Sequence, residues 1–211
     1  MDAVIFDFDG TLVDSLPAIF RANVEVFAEF GVPFDRARYR ANYVPDWRLM
    51  YERLGIPAGQ LDAAGRRWRE KYAATVAPAA FAGIHDALER LSRAGHSMGL
   101  VTAGDRDVVE DQLDRLDLAR FIGVRVCGTD DVASKPHPDP LFLALEGLGI
   151  RDRPGAAAYV GDDPDDMRMA RAVGTRAIGI VSTLGEASDL LAAGAHEVAP
   201  SVVDWVGRYL G

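Results

Sequence analysis

The 211-residue chain has one cysteine, Cys127, and only two lysines, Lys71 and Lys135. A lone cysteine excludes an internal disulfide and agrees with a reducing cytosol. It sits in the apolar stretch "VRVCG" and reads as a small buried hydrophobe rather than a nucleophile. No run approaches the ~18 apolar residues that a membrane-spanning helix needs. Met1-Asp2 leads straight into an apolar segment, with no basic region or cleavage site ahead of it. Secretion is therefore not expected, and the chain is read as cytoplasmic. Excess positive charge is also missing. A net charge of −9 argues against nucleic acid, whose binding needs clustered cations. It also makes anionic substrates awkward unless a cation or a local basic group intervenes. Arginine supplies 21 of the 23 basic residues. A lysine that survives such a bias suggests a need for a compact ammonium rather than a planar fork, although two in 23 is also what chance allows.

Apolar residues make up 49% of the chain, enough for a core, and the length fits one large domain or one domain carrying an insertion. "VIFDFD" at the start reads as a buried strand. From Gly83 onward, strands and helices alternate. "SMGLVTA" (97–103), "GVRVCG" (123–128), "AAAYVGD" (156–162) and "RAIGIVS" (176–182) read as buried strands. Helical stripes lie between them: Ile84, Leu88 and Leu91; Val109, Gln112, Leu113 and Leu116; Leu141, Leu145 and Leu148; Met167, Ala170 and Val173, stopped by Gly174. This alternation predicts a mostly parallel sheet covered on both faces, a Rossmann-like three-layer α/β core.

Residues 15–82 break the pattern. Four helical stretches follow one another, punctuated by Pro33, Pro45, Pro57 and Pro78. Phe20, Val24, Phe27 and Gly31 share one spacing. Trp47, Met50, Tyr51 and Leu54 share another, and Leu61, Ala64, Trp68, Tyr72 and Val76 a third. The expected organisation is a core of residues 1–14 and 83–211 with an inserted helical bundle over 15–82, which returns through "PAAFAGI".

Ligands in open parallel sheets bind beyond the carboxyl ends of the strands. The first strand delivers Asp7, Asp9, Gly10 and Thr11 there; the second, Thr102. "SKPHPDP" with Lys135 follows the third, and "GDDPDD" with Asp162, Asp163, Asp165 and Asp166 follows the fourth. So many carboxylates cannot stay ionised together without a cation, and all-oxygen ligation suits Mg²⁺. Such a patch serves phosphoryl transfer. A carboxylate can attack phosphorus to form an aspartyl-phosphate, while lysine, hydroxyls and loop N–H groups neutralise the phosphoryl oxygens. A second carboxylate two residues on can protonate the leaving alkoxide and then take a proton from water.

"DFDGTLVDS", a threonine closing the second strand, "SKPHPDP" and "VGDDPDDMRMARAVG" together resemble the four successive motifs of the haloacid dehalogenase superfamily. The match is to its phosphatases with an α-helical cap inserted after the first motif, of the phosphoglycolate phosphatase type. The resemblance implies Asp7 as nucleophile and metal ligand, and Asp9 as general acid/base with its carbonyl on the metal. It implies Thr102 and Lys135 as the phosphate-binding pair, Asp162 as a Mg²⁺ ligand, Asp166 as a further ligand or a partner that supports one, and Gly10 and Thr11 as the loop shaping the phosphate pocket. Three positions depart from the family pattern. Asp163 stands where Ser or Thr is frequent, Ala103 where Asn is common, and "NYVPDWRLM" where a glycine-marked specificity loop is expected. The last leaves the substrate open.

Asp163 precedes Pro164 and reads first as a helix N-cap, with metal contact second. Asp165 reads as a solvated first-turn acid, Asp14 as a cap of the next turn, and Thr102 also fits a cap for the helix opening at Asp105. The four scattered histidines suit surface or capping positions. Arg48 suits a surface ion pair better than substrate contact. The expected activity is Mg²⁺-dependent hydrolysis of a small phosphorylated metabolite. The alternatives are a phosphomutase resembling beta-phosphoglucomutase, a metal-free dehalogenase, and a non-enzymatic phospho-aspartate switch. Asp9 counts against the dehalogenase; length and the helical insert count against the switch.

Overall fold

The computed structural model describes the whole chain, Met1–Gly211. It divides into two compact units, one of Met1–Val13 with Ala80–Gly211 and one of Asp14–Ala79.

The first unit is built on six parallel strands: β1 (Ala3–Phe6), β2 (Ser97–Val101), β3 (Val124–Val126), β4 (Ala157–Gly161), β5 (Arg176–Ile180) and β6 (Glu197–Ala199). Their order is β3-β2-β1-β4-β5-β6. Ile5 lies opposite Gly99 on one side and Tyr159 on the other. Every residue of β1 and β4 is buried, as expected of strands covered on both faces. Alternation sorts the strand residues onto those faces. Val4, Phe6, Ala158 and Val160 pack beneath α5 (Ile84–Arg93), α6 (Arg106–Arg115) and α10 (Val202–Leu210). Ala3, Ile5, Ala157 and Tyr159 pack beneath α7 (Asp139–Gly147), α8 (Pro164–Val173) and α9 (Ala187–Ala192). The unit is thus the three-layer α/β sandwich read from the sequence. The strands end one to three residues earlier than expected at their carboxyl ends. The edge strand β6 was not foreseen; three residues with no apolar run leave no periodic signal. From β1 the chain moves outward to β2 and β3, then crosses to β4 on the other side of β1. The strand order therefore reverses between β1 and β4, and a crevice opens there beyond the strand ends.

The second unit is helical: α1 (Leu16–Glu29), α2 (Arg36–Asn42), α3 (Trp47–Leu54) and α4 (Leu61–Ala73). The α3 stripe is as expected, with Met50, Tyr51 and Leu54 buried. The α1 stripe is not. Ala18, Ala22, Asn23, Val26 and Phe27 are buried, whereas Val24 is exposed. Small residues let α1 approach α4 closely, and buried Asn23 accepts a 2.7 Å hydrogen bond from the Tyr51 hydroxyl. Val76 lies beyond α4 and is 80% exposed. Gly65 admits the Trp47 indole, since a Cβ there would lie 2.8 Å from its ring. Lys71 joins Glu25 and Glu29 in a surface network, and hydrogen bonds from Arg67 and Lys71 pull Glu29 down to about 2. Arg48 pairs with Asp62 at 2.6 Å on the surface. Asp14 does not cap α1. Ser15 takes the N-cap position without a side-chain bond, and the Asp14 amide donates to Ala79.

Candidate active site

Continuing the alternation of β1 past Phe6 turns Asp7 toward the α7/α8 face and Phe8 into the opposite core. The chain then tightens. The amides of Thr11, Leu12 and Val13 all donate to the Phe8 carbonyl, and Gly10 adopts φ 80°, a left-handed turn that favours glycine. Asp9 and Thr11 are thereby held near the end of the sheet.

Lys135 lies in the loop after β3 and is buried. Its Nζ donates to Asp7 Oδ1 at 2.6 Å and to Asp166 Oδ1 at 2.8 Å. Asp166 sits in the first turn of α8, reached through the capping box that Asp163 forms. Asp163 Oδ1 accepts from the Asp165 amide, and Asp166 Oδ2 accepts from the Asp163 amide at 3.2 Å. Asp162 follows β4, and its Oδ1 accepts from the Thr11 hydroxyl at 3.3 Å. Asp7, Asp162 and Asp166 can each offer an oxygen within 4.8 Å of the others. The structure therefore brings together five residues singled out from the sequence: Asp7, Thr11, Lys135, Asp162 and Asp166. Asp9 and Thr102 both approach Gly104. A Cβ on Gly104 would lie 3.4 Å from Thr102 Oγ1 and 3.5 Å from Asp9 Oδ2.

Asp163 and Cys127 stand as expected, whereas Thr11, Thr102 and Asp165 take a different form. The Thr11 hydroxyl is directed to Asp162, so its contribution to an anion pocket falls to the backbone. Asp105, not Thr102, caps α6, and Thr102 Oγ1 accepts from the Gly104 amide. Asp163 caps α8 and lies outside the three-carboxylate group. Asp165 pairs with Arg168 and is mostly buried rather than solvated. Cys127 is buried, and burial pushes its thiol up to about 11, which suits a core residue rather than a nucleophile.

The electrostatics are those of an over-charged cage. Three buried carboxylates face one ammonium, leaving two negative charges in excess when all are ionised. Burial is the main force raising Asp7, to about 7, with Lys135 opposing it and Asp166 adding to it. Burial also raises Asp162, reinforced by Asp7 and Asp166, while a hydrogen bond from Ser182 opposes the rise. For Lys135 burial favours loss of the proton, but Asp166 and Asp7 outweigh it and hold the ammonium well above its ordinary value. Asp162 Oδ2 is buried without a hydrogen-bond partner. An orphaned carboxylate oxygen costs free energy unless something binds it. Hard oxygen donors and a two-charge deficit fit a small divalent cation.

Three supporting residues escaped the sequence. Tyr159 reaches from β4 under the end of β1. Ser182 sits after β5; its Oγ accepts from the Leu184 amide at 2.9 Å, and its hydroxyl is near enough to Asp162 to oppose the rise of that carboxyl. Gly161 leaves room for Asp166: a Cβ there would lie 2.3 Å from Asp166 Oδ2. Asp166 cannot easily yield, because Lys135, Tyr159 and the Asp163 amide hold it. Gly161→Ala is accordingly expected to cost roughly 1–3 kcal/mol of stability, measured by denaturant unfolding. It should also displace Asp166, visible in a crystal structure of the variant.

The family model for haloacid dehalogenase-like hydrolases matches residues 4–180. A phosphoglycolate phosphatase from Yersinia pseudotuberculosis is 34% identical over 186 residues, covering 84% of this chain and 79% of that protein. One from Escherichia coli strain K12 is 32% identical over 215 residues, covering 89% and 84%. Among solved structures, a hydrolase from Pseudomonas syringae superposes with a TM-score of 0.89 at 25% identity, covering 99% of this chain and 98% of that one. CbbY from Rhodobacter sphaeroides in complex with phosphate does so at 0.82 and 25% identity, covering 97% and 96%. With its sheet order, its strand-end acids and a match over most of its length, the chain belongs to the haloacid dehalogenase-like hydrolase family.

Proposed function

We propose that this protein is a divalent-metal-dependent phosphomonoesterase, of the phosphoglycolate phosphatase type, acting on a small phosphorylated metabolite. One observation carries this reading: Asp7, Lys135, Asp166 and Asp162 converge at the strand-order reversal with one buried carboxylate oxygen unpaired. Asp7, Asp162 and Asp166 would hold the metal, Mg²⁺ being the expected ion, with the Asp9 carbonyl as a further donor. When bound, it would neutralise the excess carboxylate charge and polarise the phosphoryl group.

An Asp7 oxygen attacks phosphorus, forming the acyl-phosphate bond as the ester P–O bond breaks. Asp9, half-buried near Gly104, gives its proton to the departing alkoxide. Asp9 then takes a proton from water, whose oxygen attacks the same phosphorus and releases inorganic phosphate and the Asp7 carboxylate. Lys135 keeps Asp7 oriented and offsets charge on the phosphoryl oxygens. The Thr102 hydroxyl and the backbone N–H groups around Gly10 and Thr11 bind those oxygens. The helical unit Asp14–Ala79 serves as the cap that selects the leaving group.

The relatives named phosphoglycolate phosphatase favour a small, anionic phosphoester. A solved neighbour at 27% identity and TM-score 0.77, described as a beta-phosphoglucomutase of Thermotoga maritima, keeps the mutase reaction as the second reading. Product analysis separates the two. With Mg²⁺ and a panel of phosphorylated two- to six-carbon metabolites, inorganic phosphate should accumulate from at least one. An isomerised sugar phosphate without net phosphate would support the mutase instead. Undiminished turnover in EDTA, or no turnover of any panel member, would overturn both.

A further inference from the structure

Tyr159 is wholly buried, yet its hydroxyl is not in apolar surroundings. It lies 2.9 Å from the carbonyl of Val101, the last residue of β2, and 3.0 Å from Asp166 Oδ1. The Lys135 ammonium stands over the ring at 5.6 Å and donates to the same Asp166 oxygen that faces the hydroxyl. The hydroxyl thus links three elements of the site, the lysine through the shared Asp166 oxygen. These are the strand end that presents Thr102, the loop lysine, and the helix carboxylate. Tyr159 reaches them because it sits on the same face of β4 as α8, opposite Ile5 on β1. The hydroxyl has one proton and faces two acceptors, the second of which also receives the lysine. It therefore fixes where Asp166 Oδ1 and Lys135 Nζ stand relative to the end of β2. Hydroxyls of buried tyrosines are held by such partners, and groups that orient metal-binding carboxylates set the affinity of the site.

We propose that Tyr159 is a positioning residue: its hydroxyl holds Asp166 and Lys135 in the arrangement that binds the metal. The inference rests on the proposed function, since it concerns the same cage. Phenylalanine keeps the ring and its packing but removes the hydroxyl. Tyr159→Phe should weaken Mg²⁺ binding, measured by calorimetric titration of MgCl₂ into the chelator-treated protein, by about 10-fold or more. With saturating Mg²⁺, kcat for p-nitrophenyl phosphate should fall by a similar factor while KM stays within about twofold, because the Thr102 hydroxyl and the backbone N–H groups around Gly10 and Thr11 keep their phosphate contacts even where Lys135 shifts. A role in packing alone would move neither the metal affinity nor the kcat/KM split. Wild-type Mg²⁺ affinity and kcat in Tyr159→Phe would overturn the inference and leave the proposed function standing. A wild-type protein that neither binds Mg²⁺ nor hydrolyses phosphoesters would overturn both. If the variant does not fold, a crystal structure of the wild-type protein grown with MgCl₂ decides. A Tyr159 hydroxyl within hydrogen-bond distance of Asp166 supports the role, and one more than about 4 Å away overturns it.

Discussion

Asp7→Asn is expected to abolish turnover while leaving the metal-free fold as stable as the wild type, or more so. The activity side follows from the proposed chemistry. An amide oxygen cannot form the acyl-phosphate, and loss of a covalent nucleophile costs roughly 10⁴–10⁶-fold in kcat. The stability side follows from the cage. Asp7 is buried, its carboxyl is pushed up mainly by that burial, and Asp166 and Asp9 push it further. Asparagine still accepts a hydrogen bond from Lys135 but carries no charge to desolvate. Lys135 keeps its ion pair with Asp166 at 2.8 Å, and the excess of the cage falls from two negative charges to one. Without metal, the variant's Tm should equal or exceed that of the wild type by a few degrees. With Mg²⁺ the order should reverse, since the wild type gains binding energy and the variant has lost a ligand. Phosphate release and thermal melts with and without MgCl₂ measure both halves. A variant keeping more than about a tenth of wild-type turnover would refute the nucleophile assignment. A metal-free Tm more than ~10 °C below wild type would show that Asp7 holds the fold rather than the chemistry, since 1 kcal/mol moves Tm by about 2–4 °C at this size.

That stability is spent on function at Asp7 explains why the acids of the site were readable from sequence while their supports were not. β1, β2, β4 and β5 are buried on both faces, so they appear as continuous apolar runs, and whatever follows each run must lie at the sheet's carboxyl edge. Asp7, Asp162 and Lys135 were found by that rule without any knowledge of contacts. Tyr159 was passed over because it lies within a strand, two residues before Gly161, where a tyrosine reads as one more core residue. The only clue was chemical: a phenol in a strand covered on both faces needs a partner. Ser182 had no clue, since its link to Asp162 depends on how the loop after β5 folds back. In the helical unit, the stripe of Phe20, Val24, Phe27 and Gly31 read for α1 kept Phe27 but otherwise gave way to Ala18, Ala22 and Asn23. Close packing against α4 decides that face, and the Asn23–Tyr51 bond that permits a buried amide spans two helices. β6 was lost because three residues are too few to carry a period.

The same over-charged cage sets the second large effect, a dependence of stability on pH that Mg²⁺ should reduce. In the folded, metal-free protein, burial raises Asp7 and Asp163 from 3.8 to about 7. Asp162 moves in the same direction, raised by burial and by Asp7. Across the window from about pH 4 to 7 the folded state therefore holds protons that the unfolded chain has released. Stability is fullest at the acid end of that window and is lost as pH rises toward 7, at roughly 1.4 kcal/mol per pH unit for each such proton. Groups shifted the other way close the window from below. Glu29 and Asp130 are lowered, chiefly by hydrogen bonds from Arg67 and Arg106 respectively, and what they contribute is lost as pH falls below about 4. Chelator-treated protein should thus melt highest near pH 5 and progressively lower toward pH 8. Metal binding needs the ionised carboxylates and so competes with protons. MgCl₂ at about 100 times its dissociation constant should add roughly 2.7 kcal/mol at pH 7.5, about 5–11 °C in Tm, and far less at pH 5. The profile with Mg²⁺ should fall less steeply than the one without it, and the two should converge at acid pH. Parallel profiles would mean that the three carboxylates do not share a cation, and the catalytic scheme built on their convergence would fail with them.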